Sequence, residues 1–357
     1  MPSTANQQKN LFGFTLSNLE QLALDSGQPR FRGRQIFRAL YARRVRDLNA
    51  MTDLDRKFRA ELLARFHVAL PQVEKSFASR DGSVRHLLRL EDGKTVEAVY
   101  MPFEDRATLC ISSQVGCAVD CRFCFTGLLG VSRNLAAGEM VGQVLALAES
   151  HEIPRGAHLN VVFMGMGEPL LNFAPVMDAV RILADPNGVA LTLRRITVST
   201  SGIVPGIEKL AREPARPRLA VSLNASNDEQ RTAIMPINRK YPLAELMRAC
   251  REYPLGPRER LTFEYVLLAG VNDADQDAVR VVELLRGVRA KVNLIPYNSG
   301  TALPYRAPSL ERVLAFQQVL ANRNIPAFIR VSRGQDVMAA CGQLSLAETA
   351  GQLRPSP

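Results

Sequence analysis

The 357-residue sequence predicts an α/β fold. About six strand–helix units form a parallel sheet that can close into a partial or full β/α barrel, with a small helical domain and a β-hairpin extension ahead of it. Three observations predict this. Strand-like and helix-like segments alternate from about residue 138 to 331. Small and polar residues follow the strand-like segments, where a barrel opens its active face. Ahead of the alternation the pattern is helical up to about residue 80 and then reads as a hairpin.

Residues 1–10 are polar, lack the apolar run of a secretory signal and read as disordered. Residues 11–80 read as a helical accessory domain. Within it Leu54, Phe58, Leu62 and Phe66 recur every fourth position and mark one helix face. Arg30, Arg32, Arg34, Arg38, Arg43, Arg44 and Arg46 interleave with Phe31, Phe37, Leu40 and Tyr41. Such a basic, aromatic-laced stretch suits an RNA phosphate backbone. The plainer reading is a solvated face over a small Phe/Leu core. Residues 81–106 carry the hairpin: Val84–Leu90, a turn at Glu91-Asp92-Gly93-Lys94, then Thr95–Met101.

The barrel is assigned to residues 107–335. Its strands are expected at Ala107–Ser113, Leu159–Phe163, Arg195–Ser199, Arg218–Leu223, Leu261–Leu267, Lys291–Ile295 and Ala327–Val331. Helices are expected near 138–150, 174–184, 203–212, 228–234, 243–252, 276–287 and 310–323. Residues 336–357 form a C-terminal loop and tail.

Composition narrows the class. Hydrophobic residues make up 46% of the chain, enough for a sizeable core. No apolar run is long enough to span a membrane. The net charge of +10 and a pI near 9.6 favour a polyanionic partner, with nucleic acid the default. Six cysteines without a secretory signal imply a reducing, cytoplasmic setting, and metal or catalytic roles rather than a disulfide framework.

Three of those cysteines, Cys117, Cys121 and Cys124, follow a CxxxCxxC spacing. An iron–sulfur cube usually takes four cysteine ligands, so three leave one iron open to a small molecule. The alternative is structural zinc with Cys110 as a distant fourth ligand. Zinc motifs pair a CxxC with a second one or with two histidines. Here His67, His86, His151 and His158 are scattered. Polar strand ends supply the rest of a ligand site: the Phe163–Pro169 turn with Gly167 and Glu168, then Ser199, Ser222-Leu223-Asn224 and Asn298. Each alone reads as turn chemistry; together they suit a ligand in one mouth. Cys250, in an amphipathic helix, reads as a small core residue.

CxxxCxxC, the Gly165-Met166-Gly167-Glu168-Pro169 turn and the Arg333–Leu344 segment around Cys341 resemble the radical S-adenosylmethionine (SAM) RNA methyltransferases that modify an adenine of 23S rRNA. The similarity runs from about Phe31 to Leu344 and is greatest to the adenine C2 branch, whose members also act on tRNA. It implies a partial (β/α)6-type barrel, with Cys117, Cys121 and Cys124 holding a 4Fe–4S cluster. It implies SAM bound through Gly167, Glu168, Ser199, Ser222, Leu223, Asn224 and Asn298. Cys341 is implied as methyl carrier, Cys110 as its partner cysteine and Glu97 as proton acceptor. It further implies two SAM per turnover, an electron donor such as flavodoxin, a thiol reductant and a monomer.

The chemistry explains the parts. Adenine C2 and C8 lie between ring nitrogens and are too electron-poor to attack the SAM methyl. In the family scheme one SAM methylates Cys341, and a second yields a 5′-deoxyadenosyl radical that abstracts hydrogen from the S-methyl group. The carbon radical adds to adenine, a base removes the ring proton, and Cys110 attacks the Cys341 sulfur to release RNA and leave a disulfide. Two positions depart from the family pattern: Phe125, where a small residue is usual, and Asn224, where histidine is usual. Two other classes fit parts of the sequence. One is a zinc-stabilised RNA-binding protein; the other is a radical SAM activase making a glycyl radical. The Cys110/Cys341 pair and the basic N-terminal region argue against the activase.

Overall fold

The computed structural model describes residues 8–298 and 303–344. Residues 1–7 of the stretch expected to be disordered and residues 345–357 of the tail lie outside them. Lys9–Asn10 form a short strand, β1, parallel to β2 (Phe66–His67). Between them lie α1 (Leu16–Asp25), α2 (Phe31–Phe37), continued by one π turn over Arg38–Ala42, and α3 (Arg56–Arg65). Thr15 starts α1 with a capping box: its Oγ1 accepts from the Asn18 amide, and the Asn18 side chain accepts from the Thr15 amide. Asp55 starts α3 by accepting from the Phe58 amide at 2.9 Å.

The expected Leu54/Phe58/Leu62/Phe66 face is fully buried, although only Phe58 and Leu62 sit on the helix itself. Phe37, Leu40 and Tyr41 are also core residues, whereas Phe31 is exposed with the Arg32 guanidinium 4.9 Å from its ring centre. Of the interleaved arginines, Arg30 and Arg34 pair with Glu20, and Arg43 pairs with Asp53.

Among the described residues the main sheet has ten strands. Four are antiparallel neighbours: β3 (Gln72–Ala78), β4 (Val84–Arg89), β5 (Thr95–Phe103) and β6 (Arg106–Cys110). A small hairpin follows, β7 (Gln114–Gly116) with β8 (Val131–Asn134). The sheet then continues from β6 in parallel through β9 (His158–Phe163), β10 (Ile196–Thr200), β11 (Arg218–Ser222), β12 (Leu261–Leu267), β13 (Ala290–Pro296) and β14 (Ala327–Ile329). The alternation read from the sequence is present, and the sheet stays open: β3 and β14 are its two edges. The strand β3 was not anticipated. It lies in the stretch read as helical, and most of its residues are exposed, so it shows no hydrophobic alternation.

The helices α4 (Phe125–Leu128), α5 (Ala137–Ser150), α6 (Phe173–Ala184), α7 (Val204–Arg212), α8 (Asp228–Ile234), α9 (Leu243–Glu252), α10 (Asp275–Leu284) and α11 (Leu310–Ala321) complete the chain. One hydrophobic core runs from the accessory helices into the barrel. The junction needs two glycines. A Cβ on Gly13 would lie 2.5 Å from the Gly138 nitrogen, and one on Gly138 would lie 2.2 Å from the Phe12 carbonyl oxygen. Among the described residues no helix is long and apolar enough to cross a membrane.

After β14 the chain turns back across the open side of the sheet. Gly334 donates its amide to Asp81 at 2.9 Å, and Arg333 donates to the Pro102 carbonyl at 2.5 Å. Asp336 accepts from Ser79 Oγ at 2.5 Å and from the Arg80 amide at 3.2 Å. These bonds join the segment after one sheet edge to the β3–β4 turn and to β5 near the other edge. They set where Cys341 can lie.

Candidate active site

The cysteine loop runs from the end of β7 to the start of α4, at the end of the barrel where its parallel strands finish. Gly116 makes its entry turn with φ +81°, and a Cβ there would overlap the Gly130 carbonyl oxygen at 1.9 Å. The loop is held by backbone bonds: Cys117 donates to Gly130 at 2.8 Å, Cys124 to Cys121 at 3.0 Å, and Arg122 to Ile234 at 2.9 Å. Cys117, Cys121 and Cys124 all line one cavity. Burial pushes the Cys117 thiol up to about 12, while the Val119 amide bonded to its sulfur pulls the other way. Cys121 is raised well above the ordinary thiol range, by burial and then by the charges of Cys124 and Cys117. Three half-buried thiols that repel one another when ionised form a donor set that a multivalent cation stabilises.

Among the described residues no three His, Cys, Asp or Glu side chains converge on a single-ion site. A four-iron cube is larger than one ion and takes its ligands spread around it, so the three thiols on one cavity wall fit the cluster. The zinc alternative needed Cys110. That residue ends β6, is buried, and does not line the cavity.

The opposite wall comes from the strand ends. Gly167, Glu168, Ser199, Ser222, Asn224 and Asn298 line the same cavity. Glu168 is buried, and burial raises its carboxyl above the ordinary range. Its oxygens accept from the Leu170 amide at 3.0 Å, the Ser201 amide at 2.7 Å and Ser201 Oγ at 2.8 Å. The Thr200 side chain bonds the same carboxylate, so these donors fix its orientation at the cavity wall, where its charge can face a ligand ammonium.

Asn224 holds a left-handed backbone, φ +54°, which asparagine tolerates better than most residues. Its Oδ1 accepts from the Val266 amide at 2.8 Å, and its backbone carbonyl accepts from Asn272 at 2.7 Å. Asn298 donates to Ser332 Oγ at 2.8 Å. Leu223 differs from its neighbours: it is wholly buried, points away from the cavity lining and bonds through its backbone to Glu264 and Arg231.

Cys341 and Gly342 close the cavity from the C-terminal segment. Gly342 lies against the third cysteine of the loop, since a Cβ on it would be 3.7 Å from the Cys124 Cα. Cys341 has exposed area, and that area faces the cavity. The surrounding protein therefore still desolvates the thiol and pushes it up to about 11, with Glu264 adding to the effect. The segment is held by the residues that follow the cluster loop: the Phe125 amide donates to the Gly342 carbonyl at 2.8 Å and Thr126 Oγ1 donates to the Leu344 carbonyl at 2.6 Å. Phe125 itself is buried outside the cavity lining.

Burial raises the Cys110 thiol, and the next contribution is the charge of Cys341, which places the two thiols within electrostatic range. All six cysteines are free thiols in this structure, so the expected disulfide is not present in it. Glu97 is fully buried in β5, ion-paired with Arg85, and stands outside the cavity lining.

Two residues escaped the sequence analysis. Arg231 is fully buried and donates to three strand-end carbonyls, Ser201 at 2.6 Å, Leu223 at 3.1 Å and Ser222 at 3.1 Å. Burial lowers its pKa to about 10 while the Cys121 charge opposes that shift. Glu264, on β12, lines the cavity beside Cys341, accepts from Asn293 at 2.9 Å and is raised by burial. Arg231 lies in a short polar helix that reads as solvated; Glu264 interrupts an apolar strand, a signal that was available.

Comparison with known proteins fits this geometry. The Radical SAM superfamily model matches residues 111–282, and the ribosomal RNA large subunit methyltransferase N-terminal domain model matches residues 9–68. A probable dual-specificity RNA methyltransferase RlmN from Koribacter versatilis is 51% identical over 339 residues, covering 90% of this chain and 97% of that protein. The chain belongs to the RlmN family of radical SAM RNA methyltransferases. The RlmN of Syntrophotalea carbinolica is 48% identical, covering 98% of this chain and 91% of its own length. A crystal structure of a radical SAM methyltransferase from Sphaerobacter thermophilus superposes with a TM-score of 0.87 at 48% identity, covering 94% of this chain and 99% of that one. The RlmN family thus accounts for both the accessory domain and the barrel.

Proposed function

We propose that this chain methylates C2 of an adenine in 23S rRNA and in tRNA, through a methyl group carried on Cys341. The observation that supports this reading is the position of Cys341. A cysteine more than two hundred residues from the cluster loop faces the same cavity as Cys117, Cys121 and Cys124.

The chain's own residues do the following. Cys117, Cys121, Cys124 and Glu168 would hold the cofactors, and Ser199, Ser222, Asn224 and Asn298 would orient them. When bound, the cluster and SAM would supply one-electron radical chemistry able to remove hydrogen from a methyl group. Cys341 Sγ, once deprotonated, displaces the methyl group from a sulfonium and holds it toward the cavity. Glu97 takes the ring proton. It shares a sheet face with Cys110, whose cross-strand partner Val99 is two positions along β5. Arg85 makes its negative charge tolerable in a buried place. The Cys110 thiolate then attacks Cys341 Sγ; the Sγ–carbon bond breaks, its electron pair stays on the methylene carbon, which takes the proton held by Glu97 and leaves as the methyl group of the RNA, and an external dithiol reduces the Cys110–Cys341 disulfide with two electrons. A single-electron donor such as flavodoxin would supply the reducing electron, and the electron released when the ring loses its proton would return to the cofactor site.

The test is nucleoside mass spectrometry of rRNA and tRNA from cells with and without the gene. Loss of 2-methyladenosine from both RNAs supports the reading. Loss of 8-methyladenosine instead, or no change, rejects it.

A further inference from the structure

A second cavity lies at the other end of the barrel. It has a volume of about 260 Å³ and is enclosed by the π turn of the accessory domain and by the loops that enter β9 and β10. Those loops sit at the N-terminal ends of the strands. With β9 six residues long, they stand about 20 Å from the active-site mouth.

Its lining includes Arg44, Arg155, His158 and Arg195. Among the described residues the side chains of Arg155 and Arg195 have neither an ion pair nor a hydrogen bond. Arg44 has no ion pair and reaches only the Ile153 carbonyl, at 3.5 Å. The nearby Glu149 is already engaged by Arg46 at 3.2 Å, and His158 faces Asp105 at 3.4 Å. The cavity lining thus includes three arginines with no carboxylate bonded to any of them.

The backbone points the same way. Seven described non-glycine residues have positive φ. Arg44, at +55°, and Ala190, at +64°, both line this cavity, and Glu152, at +50°, directly precedes its Ile153. Such conformations are unfavourable for these residue types and gather where a site is built.

We propose that this cavity takes a backbone phosphate of the substrate RNA. Guanidinium forks match phosphate oxygens, and unpaired arginines in a recess bind them without first breaking a protein ion pair. RNA is favoured over a free phosphate by the surface leading to the cavity. The exposed Arg38 opens the π turn that carries Tyr41 and Ala42 into the cavity wall, and the whole chain carries +10. The accessory domain therefore serves as a strut along α5, joining the methylation mouth to a distant phosphate hold. A large folded RNA can engage both, and a short fragment only one. The proposal rests on the RNA-methyltransferase reading.

The test uses the full chain, with Arg155→Gln/Arg195→Gln and, separately, Arg44→Gln. Binding is measured against salt for a folded stem-loop RNA and for an oligonucleotide of a few residues around the target adenine. The expected result is a loss of about threefold to tenfold for the folded RNA, with a log–log salt slope reduced by about 1 per contact removed. Short-oligonucleotide affinity and melting temperature should stay at wild-type values. Unchanged folded-RNA affinity and slope in the variants overturns the proposal, as does an equal loss for both RNAs. Inorganic phosphate that stabilises the wild type but not the variants, with RNA affinity unchanged, overturns it in favour of a free-anion site. A wild-type chain that binds neither RNA overturns this proposal and the functional reading together.

Discussion

Asp336 accepts a hydrogen bond from Ser79 at 2.5 Å, across 257 positions of sequence. The bond bridges the open side of the sheet, and Cys341 lies five residues beyond it. The Ser79 hydroxyl and the Arg80 amide hold the Asp336 carboxyl below its ordinary value. Asp336→Ala should therefore loosen the Cys341 segment without touching the residues proposed to hold the cofactors. Misplacing a reacting atom by about 1 Å costs up to on the order of a hundredfold. Methylation should fall by about tenfold or more, while iron content and SAM affinity remain unchanged. Equal loss of SAM binding would show that the tie supports the cavity rather than the cysteine.

The two thiols should separate kinetically. Cys341→Ala should leave no methylated RNA while the cluster still binds, as read by iron and sulfide content. Cys110→Ala should stop the cycle after the carbon bond forms, leaving RNA covalently attached to Cys341. A denaturing gel would show this as an RNA-bearing protein band, absent from the double variant. Normal turnover by Cys110→Ala would remove that residue from the scheme.

Arg231 ties three strand ends together at the cavity. Replacing it with methionine leaves buried carbonyls without donors, and each such group costs about 1–3 kcal/mol. The expected loss in unfolding free energy is about 3 kcal/mol or more, measured by chemical denaturation. Arg231→Lys should recover only part of it, because one ammonium cannot span the carbonyls that the fork reaches. Full recovery by lysine would mean that charge, not geometry, matters here.

His86 and His151 meet Nε2 to Nε2 at 2.8 Å, and His86 Nδ1 meets Ser76 Oγ at 2.8 Å. The pair is satisfied only if at least one ring is neutral. Burial, then the charge of His151, lowers the His86 pKa to about 4 from 6.5. Between those values the unfolded chain binds a proton that the folded chain refuses, so stability falls as pH falls through that window. The shift corresponds to about 3 kcal/mol at its full extent, reached below pH 4. His86→Gln should flatten unfolding free energy between pH 6.5 and 4; an unchanged slope would place the effect elsewhere.

Features written in neighbouring residues could be read from the sequence, and those joined through space could not. The hairpin and most barrel strands were readable, because alternation and turn residues sit within a few positions of one another. Gln72–Ala78 was missed because an edge strand with exposed faces carries no apolar pattern. Phe125 stood out from the family pattern, and the structure gives its neighbourhood a role, since its amide and the Thr126 hydroxyl hold the Cys341 segment. Asn224 stood out too, and its left-handed backbone and its bond to Val266 account for an asparagine there. Leu223 enters the SAM-binding set through the resemblance, and its side chain is buried in the core, which leaves its backbone to face a ligand.

The sequence by itself determined the cluster loop. Three ligands within eight residues converge through short-range geometry that any compact turn provides. It also determined the alternation of the barrel, which is written in local periodicity. Only the tertiary structure decided that Cys341 would face the cluster thiols, that Asp336 would bridge the two sheet edges, and that Arg231 would gather three strand ends. Those contacts join residues with no local signature. They exist because burying one continuous core leaves the chain a single route back across the open sheet.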